Sequence, residues 1–270
     1  MRPLMQKNIS IHKNNFSAQG FTLIEVITVI VILSIVAVLG TKFVVDSTKS
    51  YQATQTRSRL VNTGRQAVER MSRQLRVALP NSVRITNVAA GTACVEFMPI
   101  SSGGNYISAV PDAVNGAAAT SAINVAPHTI DFGAAQYVSI GAMGSAEIYG
   151  VSPGSRATLT SRTAILLNLS AAKTWQRNSL KRRFYLLDFP QAFCVVANQL
   201  RFYDNQDATS ASVNTGSAYS ILADNLSAAT PFALTAGSEN KNVDVLLNMT
   251  FTNNGESVVF NQSVMIRNVP

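Results

Sequence analysis

Gly20-Phe21-Thr22-Leu23-Ile24-Glu25 sets a single carboxylate at the head of an apolar run, and the organisation of the chain follows from that placement. From Val26 to Thr41 there is no charge and no proline, and eleven of these residues are Val, Ile or Leu. Each such residue favours membrane insertion by about 0.3 to 0.6 kcal/mol, so the run contributes roughly 3 to 7 kcal/mol. An acid at mid-bilayer costs about 3 kcal/mol or more. Glu25 therefore needs a compensating role. A cut between Gly20 and Phe21 would create an amine at Phe21. That amine would lie one helical turn from Glu25 in the same chain, or within reach of Glu25 on a neighbouring copy.

The flanks narrow the choice. Arg2, Lys7 and Lys13 precede the run and no acid comes before Glu25. An ordinary secretory signal would end in a small-residue cleavage site, but Val38-Leu39-Gly40-Thr41-Lys42 offers no Ala-x-Ala pattern. An uncleaved single-span anchor is the stronger competitor. It accounts for the hydrophobicity and for an orientation with the positive charges inside. It accounts neither for Glu25 nor for the glycine placed before an aromatic residue.

This hexapeptide, with its basic leader and apolar continuation, resembles the class III signal of type IV pilins and pseudopilins. The resemblance implies that a prepilin peptidase cuts after Gly20 and methylates Phe21, and that Glu25 is the acid used in assembly. It implies an α+β fold, with a long N-terminal helix packed on an antiparallel β-sheet head. The segments expected are a leader over 1–20, a membrane helix over 21–45, its amphipathic continuation over 46–79 and a β-rich head over 80–270.

The helix is also legible residue by residue. No proline occurs between Pro3 and Pro80, and the pattern from Ile24 to Leu79 is compatible with one helix. At 1.5 Å per residue this would span about 84 Å. Its first part is apolar on all sides. In its second part Leu60, Ala67, Met71, Leu75 and Ala78 recur at helical spacing, widened by Val68 and Leu79. Gly40 and Gly64 read as weak points, each costing about 1 kcal/mol relative to alanine. Arg57, Arg59, Arg65, Arg70, Arg73 and Arg76 fill much of the opposite face. Few aromatics interleave with them, so the stripe favours neighbouring subunits over nucleic acid.

After Pro80, strands are expected at Ser82–Thr86 and Ala93–Ile100 around a Gly91 turn. Others are expected at Thr129–Phe132, Tyr137–Ile140, Glu147–Val151, Ala164–Leu169, Arg183–Asp188, Phe193–Ala197 and Gln199–Tyr203. The Gly/Ala/Ser/Asn-rich stretch from Ser101 to Ala126 reads as a surface loop, and Asn205–Ser217 as another. The clearest hairpin joins Val243–Thr252 to Ser257–Ile266 through Asn253-Asn254-Gly255-Glu256, where Asn-Gly supplies the positive φ. Val243, Val245, Leu247, Met249 and Phe251 alternate and define a buried face.

Only 13% of residues are charged, while the net charge is +8. Losing the leader would remove three cations and leave +5. This suits an exported β-rich domain and is modest support for an acidic partner. Cys94 and Cys194 both follow the membrane segment. In an oxidising compartment they would close a loop of about 100 residues, worth up to about 4.7 kcal/mol in the chain-entropy model; two separate buried thiols are the alternative.

Chemistry for catalysis is missing from the motifs. His12 and His128 stand apart, no zinc spacing, P-loop or nucleophile elbow occurs, and Gly141-Ala142-Met143-Gly144 is too short to cradle phosphate. Asp204 and Asp207 lack a full calcium loop. Lys181-Arg182-Arg183 reads as a charged entry to a strand, and Trp175 as either an exposed contact or core. The expectation is a non-enzyme with no cofactor and no metal.

Short blocks in the head, Ala78–Arg84, Cys94–Ile100, Ile221–Asn225 and Arg267–Pro270, resemble minor pilins of the mannose-sensitive haemagglutinin (MSHA) pilus; the larger minor pseudopilins of type II secretion share the plan. Major pilins of this family often carry a proline where this chain has Lys42, which points to a minor component. The resemblance implies storage in the bacterial inner membrane as a single-pass protein with its head in the periplasm. It also implies extraction by an assembly platform, incorporation with other pilin subunits into a pilus or pseudopilus, and support of adhesion.

Overall fold

The computed structural model describes residues 20–89, 92–127, 135–227, 229–237 and 241–267. The chain divides into two compact units, one up to Gln52 and one from Ala53 onward. The architecture is α+β: one long N-terminal helix and antiparallel sheets.

The helix, α1, is Leu23–Arg76. In the first unit every residue from Gly20 to Gln52 is exposed, including the whole Val/Ile/Leu run. Among the described residues α1 is the one helix long and apolar enough to cross a membrane.

In the second unit the remainder of α1 behaves differently. Leu60, Gly64, Ala67, Val68, Met71, Ser72 and Leu75 are buried, a stripe with the 3-4 spacing of one helical face. The α-helix ends at Arg76 rather than Leu79: Val77 N and Ala78 N still bond back to Gln74 O and Leu75 O, and strand-like pairing then takes over. Ile100 N donates to Val77 O and Leu79 N to Met98 O, and Ala78 bridges to Pro99. Pro80 then opens a short 3-10 turn, Pro80–Ser82.

The stripe packs on two sheets. The first holds β1 (Arg84–Ala89), β2 (Thr92–Phe97), β9 (Gln191–Val196), β10 (Gln199–Tyr203) and β11 (Tyr219–Ala223), in the order β1-β2-β9-β10-β11. The second is β12 (Phe232–Thr235), β13 (Val243–Asn253) and β14 (Glu256–Ile266). Val95, Phe97, Phe193, Val195 and Phe202 from the first sheet join Val245, Leu247, Met249 and Phe251 from the second around Leu60, Met71 and Leu75. Each fully buried side chain of this kind contributes about 1.5–3 kcal/mol. The β13–β14 hairpin has the expected register across eleven opposed pairs, and Asn254 (φ 48°) and Gly255 (φ 82°) form the turn.

Between β2 and β9 lies an inserted sheet: β3 (Ile100–Asn105), β4 (Thr120–Asn124), β5 (Tyr137–Ser139), β6 (Arg156–Arg162), β7 (Leu166–Lys173) and β8 (Arg183–Leu187). Its order is β3-β8-β5-β6-β7-β4, all antiparallel. Tyr106 bridges to Val125, Ile107 N donates to Asn124 O, and Ala126 N donates to Asn105 O, so β3 meets β4 and the sheet closes on itself. Val138, Ile123, Leu167, Trp175, Phe184 and Leu186 fill the inside.

This small barrel corrects the expected loop over Ser101–Ala126, which contains β3 and β4. The strand was hidden because Ile-Ser-Ser-Gly-Gly-Asn carries little apolar signal of its own. A Cβ at Gly104 would sit 2.9 Å from the Phe184 ring, so the bulk on this patch belongs to the partner strand. Glu147–Val151 is not a strand: Ser145–Glu147 is a 3-10 turn, closed by Ile148 N donating to Ser145 O. Strands β6, β11 and β12 lie outside the segments whose pattern predicts a strand. The segments Thr129–Phe132 and Gly91, with His12 and His128, fall outside the described residues.

Candidate functional site

Gly20 and Phe21 precede α1 and Glu25 lies in its first turn; all three are exposed. Thr22 stands immediately before the first helical residue. Its carbonyl accepts from the amides of Glu25 (3.1 Å) and Val26 (3.2 Å), and its hydroxyl accepts from Glu25 N at 3.4 Å. The spacing Thr22-x-x-Glu25 is that of a capping box. The Thr-x-x-Glu spacing that signals it lies within the hexapeptide itself. A carboxylate in the first turn also meets the positive end of the helix dipole. Glu25 is thus placed where its charge favours the helix. Farther along, Thr28 Oγ1 donates to Glu25 O and Ser34 Oγ to Ile30 O, so the few hydroxyls in the apolar run are satisfied within the helix.

In the second unit Cys94 and Cys194 form a disulfide, with Cα atoms 4.0 Å apart. They are directly opposed in the β2–β9 register. Tyr203 and Val213 bury the bond, and the 204–218 segment lies over it, pinned by hydrogen bonds from Val213 N to Asn87 Oδ1 and from Asn87 Nδ2 to Val213 O. The bond therefore joins the two strands from which the barrel departs and to which it returns.

Polar locks hold the barrel. Asp112 accepts from Val114 N and Asn115 N on one oxygen, and from Asn178 N and Nδ2 on the other. The Asn115 amide and then the Asn178 side chain are the leading causes that hold its carboxyl below the usual range. Burial pushes the Glu147 carboxyl up, but bonds from Arg177, Met143 N and Ser155 outweigh this and bring it below its ordinary value. Trp175 is core, not an exposed contact. Asp207 accepts from the amide and hydroxyl of Thr209, and Asp204 accepts from Gln191 Nε2 and Asn205 N. Among the described residues no cluster of three or more His, Cys, Asp or Glu side chains is suited to hold a metal.

Residues 15–41 match the prokaryotic N-terminal methylation motif. The motif covers the Gly20–Glu25 hexapeptide and the apolar run, and it supports a pilin or pseudopilin-type protein. It implies processing by prepilin peptidase and assembly with other pilin subunits. Together with the exposed apolar helix it is compatible with membrane anchoring. No curated protein and no solved structure matches the chain.

Proposed function

We propose that this protein is a minor pilin of a type IV pilus of the MSHA type, cut between Gly20 and Phe21, methylated at Phe21 and incorporated into the fibre or its tip in support of adhesion. One observation carries the reading: the methylation motif over residues 15–41 falls on the start of an exposed helix whose first turn holds a lone carboxylate. The boundaries that go with it are a leader over 1–20, a membrane segment over 21–45, an amphipathic segment over 46–79 and a head over 80–270. Glu25 is assigned to assembly, through the Phe21 amine of its own or a neighbouring copy. Storage in the inner membrane with a periplasmic head, extraction by an assembly platform and a non-enzymatic role complete the proposal. Lys42 at the usual proline position of major pilins, and the four sequence blocks in the head, support a minor component of this pilus class.

A minor pseudopilin of type II secretion has the same support from the motif and from Lys42. The experiment is twofold. Mass analysis of the N-terminal peptide from the native host should find N-methyl-Phe21; retention of residues 1–20 in cells with active prepilin peptidase overturns the processing reading. Deletion of the chain should reduce surface piliation and leave protein secretion intact; the reverse assigns it to the secretion system.

A further inference from the structure

We propose that the open edge of β14 is a docking site for an extended, acidic strand of another polypeptide. Ser227 N donates to Thr250 O, Asn248 N to Pro231 O and Thr252 N to Asn225 O. The even-numbered residues of β13 therefore direct their backbone groups away from β14, and the odd-numbered ones direct theirs toward it. In the observed register the odd residues of β13 oppose Glu256, Val258, Phe260, Gln262, Val264 and Ile266. By antiparallel alternation, Ser257, Val259, Asn261, Ser263 and Met265 must point both N–H and C=O outward. Among the described residues no strand pairs with these outward backbone groups.

Other edges are blunted and this one is not. The ladders of β1 and β11 contain register shifts, β12 has four residues, and the barrel closes its edges against each other. β14 has eleven residues, an unbroken register, no proline and no lysine. A long flat edge lacking these protections is a template for strand addition.

The chemistry of the partner follows from the neighbouring groove. Arg65, Arg73 and Arg76 of α1 line it with Phe260 and Gln262 of β14, and no β13 residue contributes. Glu69 is the single acid there, within 3.9 Å of Arg73. Two copies meeting edge to edge would bring both arginine sets together, so like charge disfavours self-pairing. A strand with acids on alternate positions would satisfy the backbone edge and set its carboxylates on the arginine side. The inference is independent of the cleavage and methylation reading, since it needs only the folded second unit.

The test uses the full chain in nonionic detergent micelles and a fluorescent peptide of the length of β14, alternating Glu with Thr or Val. The expected result is saturable binding with slowed amide exchange at Ser257, Val259, Asn261, Ser263 and Met265. Asn261→Pro removes an outward amide without removing a bond to β13 and should weaken binding about tenfold or more. Arg65→Glu with Arg76→Glu should do the same, and the charge pair guards against a misfolded proline variant. Equal binding of a Lys-for-Glu peptide or of a backbone N-methylated peptide overturns the proposal. So does equal binding of heparin or single-stranded DNA with no protection of the five amides, which would make the groove a simple polyanion site. Concentration-dependent dimerisation lost in Asn261→Pro, without peptide binding, would assign the edge to a second copy and overturn it as well.

Discussion

Gly64 and Phe260 are packed so closely that a Cβ at position 64 would lie 2.2 Å from Cε2 of the ring. Phe251 closes the same space from β13, at 2.9 Å. The glycine that looks like a helix weakness is the point at which α1 descends onto the β13–β14 hairpin. Gly64→Ala should gain up to about 1 kcal/mol of helix propensity and lose about 1–3 kcal/mol by overpacking. A net fall in unfolding midpoint is expected in denaturant titration. An unchanged or higher midpoint would mean that the hairpin gives way easily.

The Cys94–Cys194 bond should act on the stability of the second unit. Replacing both cysteines by serine is expected to cost about 2–5 kcal/mol. Reduction of the unaltered protein should reproduce the loss. Thermal unfolding with and without reductant, on wild type and on the double variant, checks this; a double variant as stable as the oxidised protein would refute it.

Asp112 gives a pH dependence with a defined sign. Its carboxyl titrates below the ordinary value of 3.8 when folded. Its contribution is therefore present above that value and is lost as pH falls through the lower folded value. Acid should loosen the Val110–Asn115 turn, seen as faster exchange of the Val114, Asn115 and Asn178 amides. Asp112→Asn turns one acceptor into a donor facing other donors, so these amides should exchange faster at neutral pH too. Slow exchange in the variant at neutral pH would show that the carboxylate is not the anchor.

Thr22 and Glu25 can be separated by substitution. Glu25→Ala should leave cleavage intact and impair assembly, measured as surface fibres at equal subunit level. Thr22→Ala removes only a helix cap, worth about 1 kcal/mol, and should leave assembly near normal. Equal defects in both variants would assign Glu25 to helix capping instead.

Long patterned stretches were legible, and the reasons are local. The stripe from Leu60 to Leu75 and the alternation Val243–Phe251 repeat often enough to stand above noise, and Asn254-Gly255 dictates its own turn. Phe193 and Cys194 sit in a continuous buried run that reads as a strand without further context. The barrel is legible only in part: the expected strands Tyr137–Ile140, Ala164–Leu169 and Arg183–Asp188 coincide with β5, β7 and β8, while its other strands and its closure are not written in the pattern. Its strand β3 lends space to Phe184 and Tyr185 rather than supplying apolar side chains, and β6 reads Arg-Ala-Thr-Leu-Thr-Ser-Arg with little contrast between faces. The cysteines could be read as a pair or as separate thiols. Only the register, which opposes residue 94 to 194, brings them together. Nothing in the arginine pattern alone indicated which strand edge lies beside it.

The barrel leaves β2 and rejoins β9 on adjacent strands that are cross-linked at Cys94 and Cys194. Its entry and exit are fixed to each other whatever lies between them. Change inside the excursion is thus clamped at both ends by one covalent bond, and it reaches the rest of the head through the seam where Tyr137, Ile148, Tyr149 and Leu187 pack with Leu79, Met98 and Ala208.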